Sequence, residues 1–244
     1  MNEYLGRAGS VPIGRADMAV DAGLRSFMLG VYNKMGLGLI LSAGLAYAAA
    51  TIPAVSQLVF QTPLYFVVMF GPLAILLISS FAMKNPSPTA AAIIYWSVVS
   101  LIGLSLGAIL INYRVVPDGM QTVAKAFLVT AASFGALSLW GYTTKRDLTG
   151  FGTFLFMGLI GVIIASVVNM FVQSSVLSYA ISVIGVLVFA GLTAWDTQRL
   201  KFMYYQIAGD ARAMAVATTY GALSLYLDFI NMFLFILRLM SPRN

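Results

Sequence analysis

Residues 221–240 read GALSLYLDFINMFLFILRLM, a run holding one acid, Asp228, and one base, Arg238. An apolar stretch of this length is what a helix needs to cross the ~30 Å hydrocarbon core of a bilayer. Working outward from it, six similar stretches precede it, so seven spans are expected. They are Leu29–Ile52, Leu64–Met83, Ala90–Ile111, Ala124–Tyr142, Gly152–Phe171, Ser178–Leu200 and Gly221–Met240. The breaks carry turn and helix-end residues: Pro53 and Pro63, Asn85-Pro86-Ser87-Pro88, Pro117-Asp118-Gly119, and Asp147-Leu148-Thr149-Gly150. The short uncharged gap at Val172–Leu177 predicts a tight hairpin between spans five and six. The expected class is an all-α integral membrane protein, with one transmembrane domain over residues 29–244.

Residues 1–28 differ, with Glu3, Arg7, Arg15, Asp17, Asp21 and Arg25 set among glycines and a proline. They lack the apolar core of a signal peptide and read as a polar cytosolic tail, with a short interfacial helix over Asp17–Phe27.

Composition agrees: 60% of residues are hydrophobic and only 9% charged, whereas soluble domains carry about 25% charged residues. Seven spans leave no room for a second folded domain. The absence of Cys and His excludes disulfides, thiolate zinc sites, histidine-ligated haem or copper, Ser-His-Asp catalysis and histidine pH sensing. No cofactor is expected, and a bound metal would be a hard cation such as calcium or magnesium held by oxygen. The net charge of +6 is read as loop bias rather than a nucleic-acid surface.

Ten basic residues fall on the amino-terminal side of the spans: Arg7, Arg15, Arg25, Lys34, Lys84, Lys145, Arg146, Arg199, Lys201 and Arg212. Four fall on the other: Arg114, Lys125, Arg238 and Arg243. The excess places the amino terminus in the cytosol, and seven spans then place the carboxyl terminus outside. Small residues such as Gly36, Gly38, Gly103, Gly107, Gly158, Gly161, Gly185 and Gly191 read as helix-packing positions.

Six of the eight acids lie in the tail or loops; Asp196 lies near the cytosolic end of span six and Asp228 inside span seven. A charged Asp at a helix centre costs about 2.5–3.5 kcal/mol on insertion scales, which makes an intramembrane Asp a functional candidate. The two helices are sequential and antiparallel, so both carboxyls can meet in the cytosolic half of the bundle. Ser224, Asp228 and Asn231 share one helix face, and Thr193 lies one turn before Asp196. Ser166, Asn169 and Gln173 make a second polar face in span five, read as an outer vestibule or a hydrogen-bonded contact. Span seven has no Lys, which argues against a retinal Schiff base.

Three readings of the aspartates stand open. Two carboxyls sharing a proton would form a pH-sensitive gate, and the unprotonated pair would attract a divalent cation such as a transient calcium ion at Asp196 and Asp228. Two aspartates on adjacent helices also form the catalytic pair of intramembrane aspartyl proteases. Those enzymes have Gly-x-Gly-Asp, however, where this chain has Leu225-Tyr226-Leu227-Asp228, and no Pro-Ala-Leu follows. In the third reading the aspartates are structural, with Asp196 reaching the surface beside Arg199.

Thr193-Ala194-Trp195-Asp196-Thr197-Gln198 and Leu225-Tyr226-Leu227-Asp228-Phe229-Ile230-Asn231-Met232-Phe233 together resemble the Bax-inhibitor (transmembrane Bax inhibitor motif) family, in its bacterial branch. The likeness covers all seven spans and is strongest from Gly141 to Met240. It implies six helices around a central seventh and a non-enzymatic pH-sensitive calcium leak, gated by a hydrogen-bonded pair that would be Asp196 and Asp228. It also implies a bacterial inner-membrane location and, as the alternative role, restraint of a membrane quality-control protease. The family's bacterial branch can carry an Arg in span two as an aspartate partner; this chain has none there, and Lys84 is the nearest base.

Overall fold

The computed structural model describes residues 13–82 and 85–241. The chain runs as α1 (Ile13–Thr51), α2 (Pro53–Phe60), α3 (Leu64–Ala82), α4 (Pro88–Arg114), α5 (Gly119–Thr143), α6 (Thr149–Val172), α7 (Ser175–Ile207) and α8 (Ala211–Met240). All but α2 are long and apolar enough to cross a membrane, and among the described residues there is no strand. The chain is therefore an all-helical, multi-pass membrane protein, as the apolar runs predict.

Local chemistry sets several helix ends. Pro88 stands at the first turn of α4, where its missing N–H is no loss, and Ser87 accepts a hydrogen bond from the Ala90 N–H. Ser174 caps α7 through the Leu177 N–H, and the Asp210 carboxylate accepts from Arg212 and Ala213 at the start of α8. Gly209 has φ +98°, which closes the α7–α8 turn in the three residues Ala208–Asp210.

Three features depart from the apolar pattern. The boundary after residue 28 falls inside α1, whose Leu24, Phe27 and Met28 are already buried among the bundle's core residues. The expected interfacial helix over Asp17–Phe27 is part of that same continuous α1. Expectations placed on Glu3, Arg7, Lys84 and Arg243 lie outside the described residues. Helix α2 forms between Pro53 and Pro63, where only a break was expected. And α7 continues to Ile207, past the charges that mark the end of its apolar run.

Helix α8 packs directly on α1, α4, α5 and α7, and 56% of its most apolar window is buried, against 11% for α3 and for α6. Helices α3 and α6 pack outside, on α4 and α7 respectively, without backbone contact with α8 or with each other. Because lipid tails are as apolar as a core, close packing and hydrogen bonds bind these helices more than the hydrophobic effect does. Both are visible. Tyr226 and Ser42 share a hydrogen bond of 2.6 Å, and Ser42 donates to the Val99 carbonyl at 3.0 Å, tying α8 to α1 and α4. At Gly141 of α5 a Cβ would collide with the Ala194 carbonyl of α7, two residues from Asp196.

Candidate functional site

Asp196 lies eleven residues before the end of α7, and Asp228 seventeen residues after the start of α8. At 1.5 Å per residue these depths are about 16 and 26 Å from the α7–α8 turn. Both carboxyls are buried, at 4% and 5% residue exposure. Asp196 is thus inside the bundle and not at its surface, because α7 carries on beyond it for three turns.

The two side chains face one cavity at the α7–α8 interface, each within electrostatic reach of the other. Ser224 donates to Asp196 Oδ2, and the Arg199 guanidinium lies 2.9 Å from Asp196 Oδ1. That charge contact lacks hydrogen-bond alignment, which leaves Asp196 Oδ1 buried without a donor, and Asp228 Oδ2 is likewise buried without one. Arg199 also donates to Ser224 at 3.3 Å and stacks over Trp195, with 4.7 Å from its guanidinium carbon to the ring centre.

A cavity of about 1150 Å³ opens from this pair, between α3, α6, α7 and α8. It follows one face of α8 through Ser224, Asp228, Asn231 and Arg238. Leu73 and Leu76 line it from α3, and Phe156, Ser166 and Asn169 from α6. Between the pair and the α7–α8 turn the cavity gives way to packed core, with Leu200, Tyr204 and Leu223 buried there. The aspartates therefore form the floor of a cavity that extends toward the carboxyl-terminal end of α8.

The other predicted residues divide. Ser224 bonds the pair directly. Asn231 lines the cavity and donates its amide to the Leu227 carbonyl at 2.8 Å. Thr193 is fully buried and bonds the Phe189 carbonyl of its own helix, away from the cavity lining. Ser166 and Asn169 line the far end, where the Asn169 side chain also accepts from the Ser174 N–H and so shapes the α6–α7 hairpin. Gln173 is the left-handed C-cap of α6, with φ 53°, and does not line the cavity.

Sequence reasoning set Arg199 beside Asp196, three residues on, and in the structure it is the cation on that carboxyl. Two other parts were missed. Pro72 stands inside α3, one residue before the cavity-lining Leu73, where it removes one backbone hydrogen bond. Gln198 clamps the α5–α6 loop, accepting from the Leu148 N–H at 2.8 Å and donating to the Arg146 carbonyl at 2.7 Å. Both carried a sequence signal, a proline in an apolar run and a Gln beside the aromatic-Asp pattern.

Among the described residues no three acidic side chains gather. Calcium takes six to eight oxygens. The carboxyls, Ser224 and Asn231 offer fewer, and Arg199 already occupies one side of Asp196. This donor set suits an ion in passage better than a resident one.

The chain matches over residues 24–244 the family described as inhibitor of apoptosis-promoting Bax1. It belongs to the Bax-inhibitor family. The match begins at Leu24, where α1 becomes buried, and covers every span of this Bax-inhibitor chain. It is 56% identical to an uncharacterized protein of Caulobacter vibrioides, covering 97% of each chain. It is 43% identical to the uncharacterized protein RP147 of Rickettsia prowazekii, covering 92% of each. It is also 42% identical to the inner membrane protein YbhL of Escherichia coli, over 94% of this chain and 98% of YbhL.

Proposed function

We propose that the protein is a pH-sensitive cation leak of a bacterial inner membrane, calcium being the permeant ion, with Asp196 and Asp228 as sensor and gate. The observation that carries this is the pair itself: two buried carboxyls on the floor of one cavity, each with an oxygen lacking a donor. The location follows from the likeness to YbhL, named as an inner membrane protein.

With one proton shared, the pair carries a single negative charge beside Arg199 and Arg238, so the cavity lining is net +1 and repels cations. Loss of the second proton makes the lining neutral and sets two carboxylates against each other at close range. Their repulsion in a low-dielectric setting amounts to several kcal/mol. It is relieved by moving α7 against α8, the contact that closes the cavity toward the turn. No covalent step is involved, and the chain acts as a non-enzymatic conduit.

Calcium entry into dye-loaded proteoliposomes, scanned between about pH 5 and 8, tests the proposal. Flux above that of empty liposomes, rising as the second proton leaves, supports it. Flux equal to that of empty liposomes at every pH removes the conducting function and leaves restraint of a membrane protease as the role to pursue. That pursuit would use truncation before Ile13, since removing residues 1–28 would also strip Leu24, Phe27 and Met28 from the core.

A further inference from the structure

We propose that the cleft between α3 and α6 is a binding site for one anionic phospholipid, its phosphate on Arg238 and an acyl chain lying along α8. The site does not depend on conduction and stands or falls by its own measurements.

The cleft is open where a lipid would enter. Helices α3 and α6 form two of its walls yet make no backbone contact with each other. The apolar side chains on those walls are uncovered: Leu73 is 59% exposed, Phe156 59% and Ile163 54%. In a bilayer a gap of this kind between two outer helices faces hydrocarbon, and an empty apolar cavity forfeits dispersion contacts along its whole lining.

Charge and depth select the occupant. Arg238 lies two residues from the end of α8, at the level of a headgroup, and stacks loosely on Phe235 at 5.9 Å. Among the described residues it has no carboxylate within ion-pair distance. Asn169, near the end of α6, adds a polar group to the same end of the cleft. From Arg238 down to Asp228 is ten residues of helix, about 15 Å, which is half the ~30 Å hydrocarbon core and so the reach of one leaflet's chains. A chain whose phosphate sits on Arg238 therefore ends beside Asp228. Arg238, with no carboxylate partner, favours an anionic over a zwitterionic headgroup.

Native mass spectrometry of delipidated protein, titrated with dioleoyl phosphatidylglycerol or dioleoyl phosphatidylcholine, tests the site. One phosphatidylglycerol per protomer is expected, preferred about fivefold, as one basic residue near a membrane surface provides. Arg238→Gln should abolish the preference, Leu73→Trp should block occupancy by filling the cleft, and Arg114→Gln should change neither. Binding unchanged in Arg238→Gln, or full occupancy in Leu73→Trp, overturns the proposal. A second measurement needs no change in the cleft. In W96F/W140F protein the remaining Trp195 lines the cavity. A low fraction of phosphatidylglycerol brominated near the chain end should quench it more than the same fraction of brominated phosphatidylcholine, and equal quenching overturns the assignment.

Discussion

Asp196 faces Ser224 across the α7–α8 interface, accepting its hydroxyl on Oδ2 while Arg199 rests 2.9 Å from Oδ1. One carboxyl thus has a neutral donor on one oxygen and a cation on the other, and its neighbour Asp228 has neither. The pair is asymmetric, and Ser224 helps to fix which carboxyl is anchored.

Ser224→Ala should therefore weaken the α7–α8 contact. Hydrogen bonds to charged groups contribute about 1.5–3 kcal/mol, so unfolding in detergent micelles should register a loss of that order. An unchanged unfolding midpoint would show that Asp196 is held by Arg199 alone.

Close approach of α5 and α7 at Gly141 positions Asp196 as well. Gly141→Leu should destabilise by about 1–3 kcal/mol or more, since the Ala194 carbonyl leaves no space for a side chain. Gly161, with nothing near its virtual Cβ, should accept Ala with no loss and a gain of up to about 1 kcal/mol in helix propensity. Thermal melts of the two variants give the comparison.

Gln198→Ala should free the α5–α6 loop, leaving the buried Leu148 N–H and the Arg146 carbonyl without partners. The expected cost is about 1–3 kcal/mol. Hydrogen exchange at Leu148 should accelerate, while exchange within the α8 core stays slow.

Outside the spans, Asp147 has its carboxyl held below the usual carboxylate range, first by the Thr149 side chain and then by the Thr149 backbone N–H. A depressed carboxyl contributes stability above its unfolded value, and that contribution is lost as pH falls through the folded value. For Asp147 the loss falls below about pH 4. It is fully ionised from pH 5 upward, so Asp147→Asn should leave any flux titration above pH 5 where it was. A shifted titration would place part of the sensor in the loop.

Much of this architecture is legible in the chain, for reasons particular residues display. Apolar runs bounded by prolines or by polar turn residues define the seven spans, and the four- and three-residue spacing of Ser224, Asp228 and Asn231 puts them on one face whatever the packing. Other features depend on context. Hydropathy ends span six at Leu200, but in the bundle Arg199 faces Asp196 and the helix runs on to Ile207. Likewise Lys34, counted on the amino-terminal side, sets its ammonium on Thr219 of α8 at 2.7 Å, a partner that no spacing rule reveals. Thr193 shows the converse: its position one turn from Asp196 is right, yet its hydroxyl prefers the carbonyl four residues back, which no spacing rule reveals.

The central claim is that one proton shared between Asp196 and Asp228 controls the cavity floor, and the most direct test is the pH titration of calcium flux in proteoliposomes for wild type, Asp196→Asn and Asp228→Asn. The account predicts a pH-dependent flux in the wild type and a flattened titration in both variants, since an amide cannot take part in the exchange. Variants that titrate like the wild type, at the same midpoint and amplitude, would contradict it and leave the two aspartates as structural residues.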